Sequence, residues 1–171
     1  MANSNIEHNI HTQQSGEEAT DNGIGILIKQ AVQSTLFFES VDLPCAVNIL
    51  ITDDKEIRKY NNEYRDIDSA TDVLSFPMQT FKRSGWSEIN NIELDEDTGE
   101  VPLGDIIISE ESVKRQAGEY GNTAEHEMAY LIIHSTLHLL GYDHDTKDNE
   151  KFMHGKNKSI LQEMSFDIND K

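Results

Sequence analysis

Hydrophobic residues recur along the chain with two periods, one typical of helices and one typical of strands. The helical period predicts five helices: over residues 24–38, from a cap at Thr52 or Asp53, from Ser109 to Gly118 or Gly121, over 122–140 and over 149–163. Short apolar runs predict strands at 46–51, 73–76 and 103–108, and the alternation of Ile6, His8 and Ile10 indicates an edge strand. Strands mixed with helices along 171 residues predict a single α+β domain over residues 1–171.

Two segments lack a regular period. Residues 1–22 are polar, apart from the alternating stretch, and predict a partly flexible lead-in. Residues 79–101 predict a mobile, solvated acidic loop rather than a tail that binds a partner. The acidic residues of this loop are Glu88, Glu93, Asp95, Glu96, Asp97 and Glu100.

The charge balance bears on the choice of substrate. Lys and Arg number 14 against 32 Asp and Glu, which gives a formal net charge of -18. Such a chain does not attract nucleic acid over long range, so a polyanionic substrate needs a local basic cleft or a partner that delivers it. The candidates for that cleft are Arg58, Lys59, Arg65, Lys82 and Arg83.

Cys45 is the single cysteine, which excludes a disulfide framework and a thiolate zinc site and favours a reducing cytoplasm. It lies in an apolar stretch, so we interpret it as a small buried hydrophobic residue. The first residues lack a basic region followed by an apolar run, and no stretch approaches about 18 apolar residues. We therefore expect neither a secretory signal nor a membrane helix.

Three histidines are clustered in the segment His134-Ser-Thr-Leu-His138-Leu-Leu-Gly-Tyr-Asp-His144. Residues i and i+4 of a helix differ by about 40° and one turn, so His134 and His138 project side by side. Gly141 ends the helix and turns the chain back, which lets His144 approach the same point. Three imidazoles leave one tetrahedral position of a zinc ion open, which is typical of catalytic zinc. Such a zinc ion lowers the pKa of bound water toward ~7 and polarises a bound oxygen.

The histidine spacing equals that of the metzincin peptidases, His-Glu-x-x-His-x-x-Gly-x-x-His. These peptidases use the Glu after the first histidine as their general base. Ser135 occupies that position here and cannot take up a proton at neutral pH. Glu127 lies two turns before His134, and nothing in the spacing requires it at the site. A zinc peptidase is therefore an alternative that the residues disfavour.

The histidine segment resembles the signature of the YbeY endoribonucleases, bacterial factors of ribosomal RNA maturation. Two further segments are similar to blocks of that family and follow in the family order within residues 45–165. They are Asn62-Glu-Tyr-Arg65 with Thr71-Asp-Val-Leu-Ser-Phe-Pro77, and Leu103-Gly-Asp-Ile-Ile-Ile-Ser109. Ser135 departs from the glycine that is usual in the family.

This resemblance implies a compact α+β fold with a small mixed sheet packed with helices, and a zinc site on the helix that ends at Gly141. It implies a zinc-dependent endoribonuclease specific for single-stranded RNA, which acts in 3′ end maturation of small-subunit 16S ribosomal RNA and in ribosome quality control. The implied partners are ribosomal RNA, small-subunit ribosomal proteins and an assembly GTPase. The remaining alternative is a non-catalytic ribosome-assembly module in which zinc only braces the fold.

Carried over by position, His134, His138 and His144 are the zinc ligands, with His134 also counted as catalytic. Arg65 is the functional arginine, since a guanidinium fork binds the charged oxygens of a phosphodiester. Without the resemblance, Arg65 would be interpreted as a surface residue that ends an amphipathic helix. Weaker candidates for the pocket or for orienting a ligand are Thr71, Asp72, Ser75 and Asp105. Asp105, a polar residue in an apolar run, is expected to orient a histidine.

Overall fold

A computed structural model describes residues 6–15 and 23–166 of the chain. Its strands are β1 (Asn9–Gln14), β2 (Cys45–Thr52), β3 (Val73–Pro77), β4 (Thr80–Phe81), β5 (Ile89–Asn90) and β6 (Val101–Ser109). The main sheet has the order β1-β2-β6-β3, and a separate pair joins β4 to β5. β1, β2 and β6 run parallel, whereas β3 runs antiparallel to β6. The sheet is therefore small and mixed, as the family resemblance implied.

Five helices surround this sheet in the described part of the chain, each close to a helix predicted from the sequence. They are α1 (Gly23–Phe38), α2 (Asp54–Arg65), α3 (Glu110–Tyr120), α4 (Ala124–Leu139) and α5 (Lys147–Glu163). Asp53 caps α2 by accepting a hydrogen bond from the Glu56 amide at 2.8 Å. No helix among the described residues is long and apolar enough to cross a membrane.

Helix α4 begins at Ala124, whereas the helical period predicted a start at residue 122. Thr123 is the cap, and its hydroxyl accepts a hydrogen bond from the His126 amide at 3.1 Å. The Asn122 amide instead donates to the Ala117 carbonyl at 2.9 Å and so completes the end of α3. Asn122 and Thr123 are both of residue types that cap helices well. Thr123 is the cap here because Asn122 is already part of the end of α3.

The two faces of the sheet pack against different partners. Ile49, Ile106 and Ile108 belong to the main core, which also contains the buried sides of α1, α4 and α5. Ile107 belongs to a smaller cluster with Ile57 of α2 and with Leu74. Because side chains alternate along a strand, Asp105 lies on the same face as Ile107. The main core therefore lies on the α4 side of the sheet, and Asp105 does not face it.

The predicted acidic loop carries more local structure than its composition suggested. Its first part contains the β4–β5 pair and a short 3₁₀ helix at Trp86–Glu88. Trp86 is 7% exposed, and its indole N–H donates to Asp42 at 2.7 Å. The Gln79 amide donates to the main-chain oxygens of Glu93 and Pro102. This segment is thus anchored to the domain at Gln79, Trp86 and Glu93, and the mobility of the acidic residues beyond it stays a prediction.

The predicted edge strand exists, but it begins later than the alternation of Ile6, His8 and Ile10 indicated. β1 starts at Asn9 and pairs with β2 at the edge of the sheet, so Ile10 alone of those three lies in the strand. Residues 1–5 and 16–22 of the predicted lead-in lie outside the described residues, and its flexibility stays a prediction.

Candidate metal centre

Helix α4 ends in a hydrogen-bonded turn that leads to the third histidine. The Gly141 amide donates to the His138 carbonyl at 3.0 Å, and the Tyr142 amide donates to the Leu137 carbonyl at 3.1 Å. This pair of bonds is the Schellman arrangement, in which the residue after the cap adopts a left-handed conformation. Gly141 has φ +86° and fills that role. We call residues 140–144 the ligand loop.

The three histidine side chains converge on one point. The Nε2 atoms of His134 and His138 lie 3.0 Å apart. One nitrogen from each of the three rings, His144 included, lies within 4.8 Å of the others. Two nitrogens bound to zinc at 2.0–2.1 Å in a tetrahedral site are roughly 3.3 Å apart. His134 and His138 match this spacing, and His144 offers a third imidazole nitrogen nearby, so the donor set fits one zinc ion.

His138 is held in the orientation that a metal ligand needs. Its Nδ1 atom lies 2.7 Å from the main-chain oxygen of Tyr142. A carbonyl oxygen only accepts hydrogen bonds, so Nδ1 carries the proton and Nε2 keeps its lone pair for the metal. Burial lowers the pKa of His138, and this effect outweighs the opposing hydrogen bond to the Tyr142 carbonyl. The neutral ring that zinc requires is thus favoured.

The side chain of Tyr142 extends away from the histidines toward α1. Its hydroxyl donates to the Glu39 carboxylate at 2.6 Å. Burial raises the pKa of Tyr142 well above its ordinary value, and the hydrogen bond to the charged Glu39 raises it further. The hydroxyl therefore stays protonated and remains a donor across the physiological pH range.

The histidines open into a cavity of about 990 Å³. Arg65 also lines this cavity and is the one Lys or Arg to do so among the described residues. The other predicted basic residues of α2 are engaged elsewhere, since Arg58 binds Asp68 and Lys59 binds Glu56. The cavity walls also contain three carboxylates, from Asp72, Glu127 and Asp143. The positive charge of the protein at this site is therefore concentrated in a single guanidinium.

Arg65 is the last residue of α2 and reaches toward β3. Its Nη2 atom donates to the Ser75 carbonyl at 3.0 Å, and its guanidinium lies 5.4 Å from the centre of the Phe76 ring. A guanidinium has five N–H donors. These two contacts fix the group at the edge of the cavity while leaving donors that can bind a phosphate oxygen.

The weaker candidates of the second family block divide into two groups. Asp72 and Ser75 line the cavity, whereas Thr71 does not. Asp72 accepts hydrogen bonds from the Val73 amide at 2.7 Å and from the Gln116 side chain at 3.0 Å. Thr71 donates to the same carboxylate at 3.3 Å. Asp72 thus links the start of β3 to α3 at the cavity wall.

The fold does not place Asp105 beside the three clustered histidines. It accepts a hydrogen bond from the Asn48 side chain at 3.0 Å, on the face of the sheet opposite to α4. The side chains beside it form a separate groove with His11, Gln13 and Asn48. His138 receives its orientation from the main chain of the ligand loop instead.

Tyr130 and Gln116 are among the cavity residues that the reasoning from sequence missed. Tyr130 lies one turn before His134 on α4, and the two rings stack with centres 6.4 Å apart. The helical period that paired His134 with His138 also points to Tyr130. Gln116 lies on α3, and its side-chain amide donates a hydrogen bond to Asp72 at the cavity wall. No sequence motif indicates a role for it.

Fold and site together define a class: an α+β domain with a three-histidine cluster that can hold a metal ion. The sequence profile of the family described as Endoribonuclease YbeY matches residues 9–165. The chain therefore belongs to the YbeY endoribonuclease family.

The chain is also similar to individual proteins with this family description and to a solved structure. An Endoribonuclease YbeY of Caldanaerobacter subterraneus subsp. tengcongensis is 45% identical over 142 residues, which cover 83% of this chain and 88% of that protein. An Endoribonuclease YbeY of Lachnoclostridium phytofermentans is 37% identical over 158 residues, covering 89% and 94% of the two chains. The solution structure of TM1509 from Thermotoga maritima has a TM-score of 0.54 at 23% identity, with 95% of this chain and 99% of that chain covered. The last likeness supports the fold.

Proposed function

We propose that this protein is a zinc-dependent endoribonuclease that cleaves single-stranded RNA in the cytoplasm. The observation that carries the proposal is that His134, His138 and His144 line the same cavity as Arg65. Three imidazoles with an open fourth position are typical of catalytic zinc. An adjacent guanidinium is suited to a phosphodiester, and membership of the YbeY family supports the same substrate class.

The residues divide the chemistry between them. Cleavage of a phosphodiester builds negative charge on its non-bridging oxygens, and Arg65 stabilises that charge through its planar guanidinium fork. The Ser75 carbonyl and the Phe76 ring hold this fork in place. Zinc, when bound, supplies Lewis acidity toward an oxygen of the substrate. Burial favours the neutral form of His138, and the Tyr142 carbonyl orients its ring.

The charge distribution bears on how the substrate arrives. The net charge is -18, and Arg65 is the single Lys or Arg in the described cavity wall. Long-range attraction of RNA is therefore weak, and delivery by a partner that itself binds RNA offsets the penalty. We extend the proposal to 3′ end maturation of 16S ribosomal RNA and to ribosome quality control. The proposed partners are small-subunit ribosomal proteins and an assembly GTPase.

Four parallel cleavage assays on a single-stranded RNA test the activity. They use the wild type, His134→Ala, Arg65→Ala and a wild-type sample stripped of metal by a chelator. We expect cleavage by the wild type, almost none by His134→Ala or the chelated sample, and a strong reduction in Arg65→Ala. Equal activity in all four samples contradicts the proposal.

The two alternatives make different predictions for the same protein. A peptidase needs a general base beside the first histidine, but Ser135 is fully buried and does not line the cavity. Proteolysis of an unfolded protein that is lost on chelation would favour the peptidase. A purely bracing zinc needs a fourth protein ligand, whereas the described residues offer a cluster of three. X-ray absorption at the zinc edge separates an oxygen in the fourth position from a fourth imidazole.

A further inference from the structure

A partly buried ion pair lies directly behind the ligand loop. Glu39, just after α1, is paired with Lys156 of α5 at 2.7 Å, and the two side chains are 4% and 20% exposed. The other carboxylate oxygen of Glu39 accepts the hydrogen bond from the Tyr142 hydroxyl at 2.6 Å. Glu39 is therefore shared between a lysine of α5 and a tyrosine of the ligand loop.

Lys156 contacts the same tyrosine by a second route. Its ammonium nitrogen lies 5.0 Å from the centre of the Tyr142 ring. The centres of the Phe38 and Phe152 rings lie 5.5 Å and 5.2 Å from that nitrogen, so three aromatic rings lie around the ammonium group. A partly desolvated cation is attracted to such ring faces. Tyr142 is thus held by its hydroxyl and by the face of its ring.

The segment between β4 and β5 closes the other side of Tyr142. The Gly85 amide donates to the Leu140 carbonyl at 2.9 Å, so this segment is bonded to the ligand loop. A methyl group placed on Gly85 would lie 2.9 Å from the Tyr142 hydroxyl oxygen. That separation is shorter than an ordinary carbon–oxygen contact, so a side chain at position 85 would displace the Tyr142 hydroxyl.

The position of Tyr142 matters because its main chain is part of the metal centre. Its carbonyl oxygen accepts a hydrogen bond from Nδ1 of His138, with the two atoms 2.7 Å apart. Tyr142 also lies two residues before His144 in the chain. A displaced Tyr142 would turn His138 and shift His144 together. A partly buried ion pair such as this one is a weak source of stability, since the desolvation cost offsets most of the attraction. A role in fixing the position of Tyr142 accounts for the place of the Glu39–Lys156 pair behind the ligand loop.

We propose that Glu39 and Lys156 are positioning residues for the metal centre and act on His138 and His144 through Tyr142. The inference rests on the proposed zinc site, and it does not depend on which bond the enzyme cleaves. The positioning group joins Glu39, just after α1, to the ligand loop and to α5. Partners that orient metal ligands typically change metal affinity by about 10- to 100-fold when they are removed.

The test measures the zinc dissociation constant of the full chain by competition with a chromogenic chelator. The variants are Tyr142→Phe, which keeps the ring and removes the hydroxyl, and Lys156→Met, which keeps the length and removes the charge. Lys114→Met is the matched control, because Lys114 forms an exposed pair with Glu110 on α3. Circular dichroism of each metal-free variant sets a temperature at which all are folded. We expect about 10-fold weaker zinc binding for the two test variants and no change for the control.

The double variant tests whether Lys156 acts through Tyr142. If it does, Lys156→Met weakens zinc binding less in a Tyr142→Leu background, which lacks both the hydroxyl and the aromatic ring, than in the wild type. The visible spectrum of the cobalt-substituted protein should also change in both single variants and not in Lys114→Met. Unchanged zinc affinity with only a lower melting temperature would overturn the proposal, as would fully independent effects in the double variant. A wild type that binds no zinc contradicts the metal centre itself, whereas tight binding by every variant contradicts only the positioning role.

Discussion

The imidazole of His138 donates from Nδ1 to the main-chain oxygen of Tyr142 at a distance of 2.7 Å. The turn that stops α4 is thus also the turn that orients a candidate metal ligand. The Schellman bonds of Gly141 and Tyr142 place the carbonyl, and the carbonyl selects the tautomer of the ring. Helix termination and metal binding are therefore coupled in this segment.

Replacing Gly141 by alanine should damage both the fold and the metal centre. Its φ of +86° disfavours any side chain, and an added methyl would lie 2.7–2.9 Å from Phe81. The left-handed conformation alone costs about 1–2 kcal/mol. We expect a lower free energy of unfolding in urea for the metal-free protein, together with weaker zinc binding.

Gly118→Ala is the matched control for that substitution. Gly118 lies within α3, and an added methyl meets nothing within 4 Å. Alanine should stabilise the helix there by about 0.5–1 kcal/mol and leave zinc binding unchanged. A Gly141→Ala variant as stable as the wild type and equal to it in zinc affinity contradicts the role given to the turn.

Arg65→Lys should reduce RNA cleavage while leaving zinc binding intact. Lysine keeps the positive charge but lacks the planar fork that binds two oxygens at once. Loss of one donor to transition-state charge typically lowers the rate by about 10² to 10³. Single-turnover cleavage rates measure the effect, and zinc titration of the same sample shows that the metal centre is intact.

Arg58→Lys is the control for Arg65, since Arg58 lies on the same helix and pairs with Asp68 at the surface. We expect a cleavage rate within a factor of about two of the wild type, because exposed pairs contribute little. If Arg65→Lys cleaves as fast as Arg58→Lys, the bidentate role of Arg65 is wrong.

Asp54 should contribute stability that depends on pH. Burial alone would raise the pKa of Asp54, but hydrogen bonds from Ser109, Ser112 and Arg115 outweigh it and lower the pKa. A pKa lowered in the folded state means that the contribution is complete above the unfolded pKa and is lost as pH falls through the folded pKa. Asp54→Asn should therefore be less stable than the wild type at pH 7, and the difference should shrink below about pH 4.

Urea unfolding at a series of pH values measures that difference. Asp68→Asn serves as the comparison, because Asp68 is an exposed partner of Arg58 and should matter much less. A stability difference between Asp54→Asn and the wild type that is constant from pH 7 to pH 3 rules out this linkage.

Cys45 should be unreactive in the folded protein. It is fully buried, and burial together with the charges of Asp42 and Glu100 raises the pKa of its thiol to about 12. Alkylation requires the thiolate. We expect negligible labelling by iodoacetamide at pH 8 in buffer and rapid labelling in concentrated urea. Equal rates in the two conditions contradict the buried placement.

The sequence predicted the parts of the site that local spacing determines. His134 and His138 follow from the helical period, and Gly141 marks the turn that leads to His144. The prediction that Asp105 orients a histidine was wrong for a physical reason. Most of β6 is buried on both faces, so its composition does not reveal which face a polar residue takes.

Other features depend on contacts between distant parts of the chain. The pairing of Glu39 with Lys156 joins residues that are 117 positions apart, and no local pattern indicates it. The β4–β5 pair has strands of two residues each, which are too short to show a period. The cap at Thr123 rather than Asn122 depends on where α3 ends.

Zinc-dependent cleavage is tested most directly by a zinc titration of the metal-free protein with RNA cleavage followed at each step. We expect cleavage of single-stranded RNA to rise in proportion to bound zinc and to reach its plateau at one ion per chain. His134→Ala should show no such rise. Full cleavage without metal, or no cleavage once one zinc ion is bound, would contradict a zinc-dependent endoribonuclease.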